Sequence, residues 1–228
     1  MAGPEVSYWP DIAGIFSAIA TIFSSDAFTQ HLLPSTLRVA ISLAISAVIG
    51  LPLGFLASRP TVSGRAIGYA VSAVRYVPPT AFIGLIILLF GIGQNAALAL
   101  IVIGIAPYVA IMAADAFRAV PRDYLQVAFV YGANSRERFT KIHWPFVRPR
   151  FFEALRVNVG AAWTLLVISE IVAGNSGIGY LISRAQRYLD IDMLYALILI
   201  SGVLGIIFDR LLLMLVRTSA WWQPDARD

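Results

Sequence analysis

Cysteine is absent from this 228-residue chain, lysine occurs once, at Lys141, and histidine only at His31 and His143. Without thiols there is neither a disulfide framework nor a cysteine-based metal or redox centre. The single lysine follows Thr140, so the Gly-Lys-Ser/Thr core of a phosphate-binding loop cannot be assembled, and any ATP hydrolysis must come from another chain. Charge is scarce too. Only 13% of residues are Asp, Glu, Lys or Arg, against about 25% in a soluble domain, and mean hydropathy is +0.78. These shortages exclude an ordinary soluble domain. The excess of base over acid, 17 against 13, points to cytoplasmic loops of a membrane protein rather than to nucleic acid.

What fills the chain is long apolar runs. The twenty residues between Arg38 and Arg59 carry no charge, enough to cross a bilayer. Tyr76 to Ala114 is uncharged over 39 residues, which as one helix would measure about 58 Å, roughly twice the hydrocarbon thickness. It must turn back, and Gly91-Ile92-Gly93-Gln94-Asn95 supplies the reversal. Five spans follow, at 36–57, 70–90, 96–117, 155–173 and 193–216, giving an all-α polytopic helix bundle. Between Asp11 and Asp26 lie fourteen uncharged residues with Ile12, Ile15, Phe16, Ile19, Ile22 and Phe23 at helical spacing. About 21 Å of helix is too short to span and suits one lying in the interface or packed on the outer span ends.

Orientation comes from the cations. Residues 1–35 contain Glu5, Asp11 and Asp26 but no Lys or Arg, whereas Arg118 to Arg156 holds eight basic residues against three acidic ones. The positive-inside rule puts that loop in the cytoplasm, the N-terminus outside and the C-terminus inside. Residues 1–35 then form an extracytoplasmic segment, 36–217 the transmembrane domain and 218–228 a cytoplasmic tail.

The cytoplasmic loop is organised. Pro121 can open a helix through Tyr131 and Gly132 can end it. Asn134 stands three residues before Glu137, the spacing of a capping box, and a second helix runs through Phe139 and Ile142 until Pro145 stops it. A helix pair at the membrane surface with Arg136, Arg138 and Lys141 projecting suits docking to a soluble partner; a hairpin whose charges are merely solvated, or touch anionic headgroups, is the plainer alternative.

Here the sequence resembles the permease subunits of binding-protein-dependent ABC importers. Their signature, Glu-Ala-Ala, three residues, Gly, nine residues, Ile-x-Leu-Pro, is matched at Gln126-Val127-Ala128, Gly132 and Ile142-His143-Trp144-Pro145, with Gln126 replacing the acidic residue and Trp144 the Leu. His31-Leu32-Leu33-Pro34-Ser35-Thr36-Leu37-Arg38, Arg75-Tyr76-Val77-Pro78-Pro79-Thr80-Ala81, Ser169-Glu170 and Ser176-Gly177-Ile178-Gly179 are similar to elements of the nitrate, sulfonate and taurine branch. The resemblance implies that residues 121–145, through Gln126, Ala128, Gly132, Ala133, Asn134, Ser135, Ile142 and Pro145, contact a cytoplasmic ATPase. It further implies a dimer with a second permease copy, two ATPase subunits that bind the ATP and Mg, an extracytoplasmic substrate-binding protein, a bacterial inner-membrane location and no cofactor in this chain.

For the translocation path the candidates are Arg75, Pro78, Pro79, Asn158, Trp163 and Glu170. Prolines at 78 and 79 break regular hydrogen bonding inside a span, and an ionisable group at that depth faces water or a partner charge. Glu170 is the expected partner of Arg75, although Arg75 reads equally as a structural or snorkelling arginine. Asn158 and Trp163 can line the path or glue and anchor helices; Asp209 and Arg210 read as structural. Gly174-Asn175-Ser176-Gly177 resembles the nucleophile motif of rhomboid proteases, but a serine nucleophile needs a base in reach. With His143 on the opposite side and His31 outside the spans, a protease is rejected. An ion channel or secondary transporter shares the composition and the intramembrane charges but has no need of the organised cytoplasmic loop.

Overall fold

The computed structural model describes residues 11–220. Glu5 and most of the tail assigned to 218–228 lie outside that range. The described residues are helical throughout, with no strand. Four helical segments are long and apolar enough to cross a membrane, and a fifth is a bent pair.

Helix α1 (Ile12–Ser24) is capped by Asp11, whose side chain accepts from the Ala13 backbone. Its Ile15, Ala18, Ile19 and Ile22 pack on the core while Ile12, Phe16 and Phe23 stay exposed. It lies along the N-terminal end of α11 (Ile191–Ser219), where the Asp11 backbone N–H donates to Asp192 at 3.0 Å. A π-turn (Phe28–Leu32) leads into α2 (Leu33–Ala57). Helix α2 packs chiefly on α5 (Gln94–Arg118), and the closeness is set by glycine. A Cβ on Gly54 would come within 2.6 Å of the Ala110 carbonyl oxygen and the Ala113 Cβ.

The second span, expected over 70–90 with its hydrogen bonding broken at Pro78 and Pro79, begins earlier and is sharply bent at those prolines. Helix α3 (Val62–Val74), started by Thr61 accepting from the Gly64 N–H, stops at Arg75. A 3-10 turn (Pro79–Phe82) then opens α4 (Ile83–Phe90), and the two halves meet at 82°. Two consecutive prolines remove two donors and disfavour helical backbone at the residue before each, and Pro79 settles against Gly104 of α5, where a side chain would collide.

Beyond α5 come α6 (Arg122–Val130) and α7 (Ser135–Arg138), then a π-turn (Phe139–His143), α8 (Trp144–Val157) and α9 (Val159–Ala173). Pro145 does not stop the helix, contrary to the expectation. From Ser135 to Ala173 the chain is one helical run, because the widened turn ahead of the proline lets the Trp144 N–H reach the Phe139 carbonyl. Pro34 is accommodated in the same way, with the Leu33 N–H on Phe28; both places read Phe-Thr, four residues, Pro. Helix α10 (Ile178–Tyr188) packs on α9 and α11, and α11 (Ile191–Ser219) closes the bundle. The main core joins α1, α2, α5, α9, α10 and α11 around Ile101, Leu166, Ile178 and Leu197. A second cluster, around Phe117, Val147 and Phe151, ties the spans to the cytoplasmic segment.

Candidate functional site

The segment 121–145 is a hairpin fixed at both ends. Helix α6 ends in a Schellman arrangement: the Ala133 N–H donates to the Ala128 carbonyl (2.9 Å) and the Gly132 N–H to Phe129 (3.0 Å). Gly132 has φ +72° and open space around it, so glycine is needed for its backbone conformation and not for room. The capping box is complete, with the Glu137 N–H donating to Asn134 Oδ1 (2.9 Å) and the Asn134 N–H to Glu137 Oε2 (3.0 Å). The bond from the Asn134 backbone N–H, with Lys141 at 3.5 Å, holds the Glu137 carboxyl below the ordinary carboxylate range.

Beneath the hairpin, Phe139 meets Phe55 and Phe117 at 5.6 and 6.3 Å between ring centres, and Ile142 packs on the same cluster. Helix α6 is exposed on the other side. Phe129, Val130 and Tyr131 are 73%, 82% and 85% accessible, and Gln126 and Ser135 are exposed beside them. Bare aromatic and aliphatic side chains thus cluster around a tight turn on a packed base, a composition found at the cores of protein interfaces. Pro145 lies below, on the helix that leads back to the membrane.

At the end of the bundle away from the hairpin the structure assembles a buried polar cluster that the sequence did not reveal. Arg38 Nη1 donates to Glu170 at 2.6 Å, and the side chains are 6% and 1% exposed. Ser35 donates to the same carboxylate at 2.7 Å, and the Gly179 N–H donates to it at 2.9 Å. The Gly177 N–H donates to His31 Nδ1 (3.0 Å) and the Ile178 N–H to Ser35 Oγ (2.9 Å). Arg38 completes the clasp by donating to the Ser176 carbonyl and hydroxyl at 3.1 and 2.9 Å. Residues 31, 35 and 38 follow the 3.6-residue period of one helix face, so a single side of α2 grips the turn that opens α10.

This overturns the expected pairing of Arg75 with Glu170. Arg75 instead lies at the break of the second span with its guanidinium 5.3 Å from the Tyr108 ring centre, its Nε without an acceptor, and no ion pair among the described residues. Pro78 and Pro79 make the break itself. Asn158 forms the joint between α8 and α9, its amide donating to the Ala154 carbonyl at 2.8 Å. Trp163 lines a cavity between α9 and α11. The six residues considered for a path therefore do not form one group. The reason for rejecting a protease changes too: His31 does lie on the Gly174–Gly177 turn, but its Nδ1 is taken by a backbone N–H and Ser176 Oγ accepts from Arg38.

Comparison with known proteins agrees with this architecture. An Escherichia coli permease assigned to aliphatic sulfonates is 29% identical over 94% of this chain and 82% of its own length. The taurine transport system permease of the same organism is 27% identical over 87% and 72%. Among solved structures, the membrane subunit of the MetNI methionine ABC transporter in an inward-facing form superposes with a TM-score of 0.64 at 21% identity, over 81% of this chain and 94% of that one. An amino acid ABC transporter superposes with a TM-score of 0.67 at 14% identity, over 92% and 99%. Residues 50–219, which include the broken span, the hairpin and the turn held by Glu170, match the family of binding-protein-dependent transport system inner membrane components, and the chain belongs to it as an ABC importer permease.

Proposed function

We propose that this chain is the membrane-spanning half of an ATP-driven importer for small, mostly anionic solutes of the sulfonate, taurine and nitrate type. It works as a dimer that encloses the path and carries one cytoplasmic ATPase per copy. ATP and Mg belong to those ATPases. An extracytoplasmic binding protein delivers solute to the outer face around residues 175–182. The observation that carries the reading is the hairpin over 121–145, an apolar surface at the cytoplasmic side held rigid from below and left bare on top. Approach of the two ATPases would press on it and tilt the spans between outward and inward openings. Gln126, in place of an acidic residue, offers the ATPase a hydrogen bond without a charge.

The test is affinity purification of this chain from membranes in mild detergent, with the bound proteins identified by mass spectrometry. A nucleotide-binding ATPase at near one-to-one ratio is expected. Gly132→Val should lose it while inserting normally; a clean preparation without ATPase, reproduced after gentle crosslinking, overturns the reading.

A further inference from the structure

A cavity of about 870 Å³ opens between α9 and α11, a size that suits a small ligand. Three glycines make it. Gly160 and Gly202 face open space, and Gly205 lies under the Trp163 ring, where an added Cβ would come to 3.6 Å. Val159, Val167 and Ile206 supply apolar walls, and the cavity extends from Ser201 to Arg210, about 14 Å along α11.

One polar group in it has nothing to bind. The Trp163 ring forms an apolar wall, with its indole N–H buried within the protein. Arg210 is exposed and has neither a hydrogen bond nor an ion pair among the described residues. The neighbouring charges are already matched: Arg156 donates to Asp209 at 2.7 Å and to Glu153 at 3.2 Å. Arg156 lies in the last turn of α8, on the hairpin side of the cavity, so that bond places Asp209, and with it Arg210, at the hairpin-side end. One uncompensated guanidinium therefore stands at that end of an apolar slot.

We propose that this cavity is the inner station of the path and takes a small oxyanion with a short apolar body. The guanidinium fork of Arg210 holds the acidic head, the Trp163 ring and the valines wall the slot, and the glycine floor admits the body. The assignment rests on the importer reading and goes beyond it by naming the residues that choose the sign of the solute. A phospholipid headgroup offers the same oxyanion, so the experiment separates lipid from dissolved anion.

The absence of cysteine makes the test clean. Thr164 lines the cavity and is exposed, so Thr164→Cys is purified with its ATPase, placed in phosphatidylcholine nanodiscs with and without phosphatidylglycerol, and treated with sulfonatoethyl or trimethylammonioethyl methanethiosulfonate. Labelling is read as the mass of this chain, and rates are normalised to those with glutathione. The sulfonate reagent should react about tenfold faster than the cationic one, within the range over which a cleft of one charge sign raises anion encounter. Arg210→Gln in the same background should erase the preference and Arg210→Lys retain it. No reaction with either reagent, equal normalised rates, or a preference that disappears when phosphatidylglycerol is present would each overturn the proposal, the last by giving Arg210 to a lipid. ATPase retention is measured on the same preparation, so loss of the importer reading is seen separately from loss of the anion station.

Discussion

Arg38 and Glu170 stand 132 residues apart in the chain and meet at 2.6 Å in a pocket that excludes water. The pair belongs as much to the turn as to the helices, since Ser35, Ser176 and the Gly179 backbone complete it. Removing one partner leaves the other charge buried alone, which costs about 3–5 kcal/mol. Glu170→Gln and Arg38→Met should each lower the thermal unfolding midpoint in detergent sharply. Joining Arg38→Met with Glu170→Leu should cost less than the two single effects added, because no bare charge remains. The double variant stays below wild type because the Gly179 N–H and the Ser176 groups lose their partners. Additive losses would show that the pair contributes no coupling.

Two glycines with positive φ should respond differently to alanine. At Gly132, φ +72° with open space, Gly132→Ala should cost about 1–2 kcal/mol from backbone conformation alone, and Gly132→Asn less. At Gly177, φ +115°, an added Cβ also runs into the Glu170 carboxylate. Gly177→Ala should therefore be the more damaging variant, with accumulation in membranes and unfolding midpoint as the measurements. Equal effects would contradict the tight wrapping of the turn.

Phe129 and Tyr131 contribute exposed surface and little to the fold. Phe129→Asp and Tyr131→Asp should leave the unfolding midpoint nearly unchanged, within about 0.5 kcal/mol. Retained ATPase should fall by at least about tenfold, as expected when an apolar anchor is replaced by a charge. Full ATPase retention in both variants would place the coupling contact elsewhere.

The capping box gives a pH dependence with a definite sign. The folded carboxyl of Glu137 titrates below the ordinary value of 4.5, so its contribution to the start of α7 is fully present above that pH and is lost as pH falls through the folded value. Hydrogen exchange at the amides of residues 134 and 137 should be flat from pH 6 to 8, after correction for intrinsic rates, and should rise in acid. Glu137→Gln, which keeps an acceptor without a titrating proton, should remove that acid sensitivity. An unchanged acid profile in the glutamine variant would assign the effect to another group.

Span positions were legible because charge is so sparse that apolar runs announce themselves, and the hairpin was legible because Pro121, Gly132 and Asn134 with Glu137 act through local rules. The path of the chain at Pro145 was not, since a widened turn upstream restores what proline removes, and that turn depends on Phe139 being held by Phe55 and Phe117. The partner of Glu170 was misread for want of a depth argument. Glu170 lies in the last turn of α9 and Arg38 in the second turn of α2 at the same end of the bundle, whereas Arg75 lies at the break of its span beside Tyr108, midway along α5. His31 and Ser35, two turns and one turn ahead of Arg38, bind backbone groups of a turn distant in sequence, and nothing local in the sequence marks such a contact. The cavity with Arg210 was hidden for a related reason: Asp209 and Arg210 look like an adjacent pair, but geometry gives Asp209 to Arg156.

The helical run from Ser135 to Ala173 has the dimensions of a lever. Its near end carries the capping box and its far end carries Glu170 with the turn that opens α10 fastened to it. At 1.5 Å per residue the arm is at most about 58 Å, so a tilt of about five degrees at the hairpin would swing the far end by about 5 Å if the joint at Asn158 stays stiff. The clasp of Arg38 on Glu170 fixes which part of α2 would travel with it.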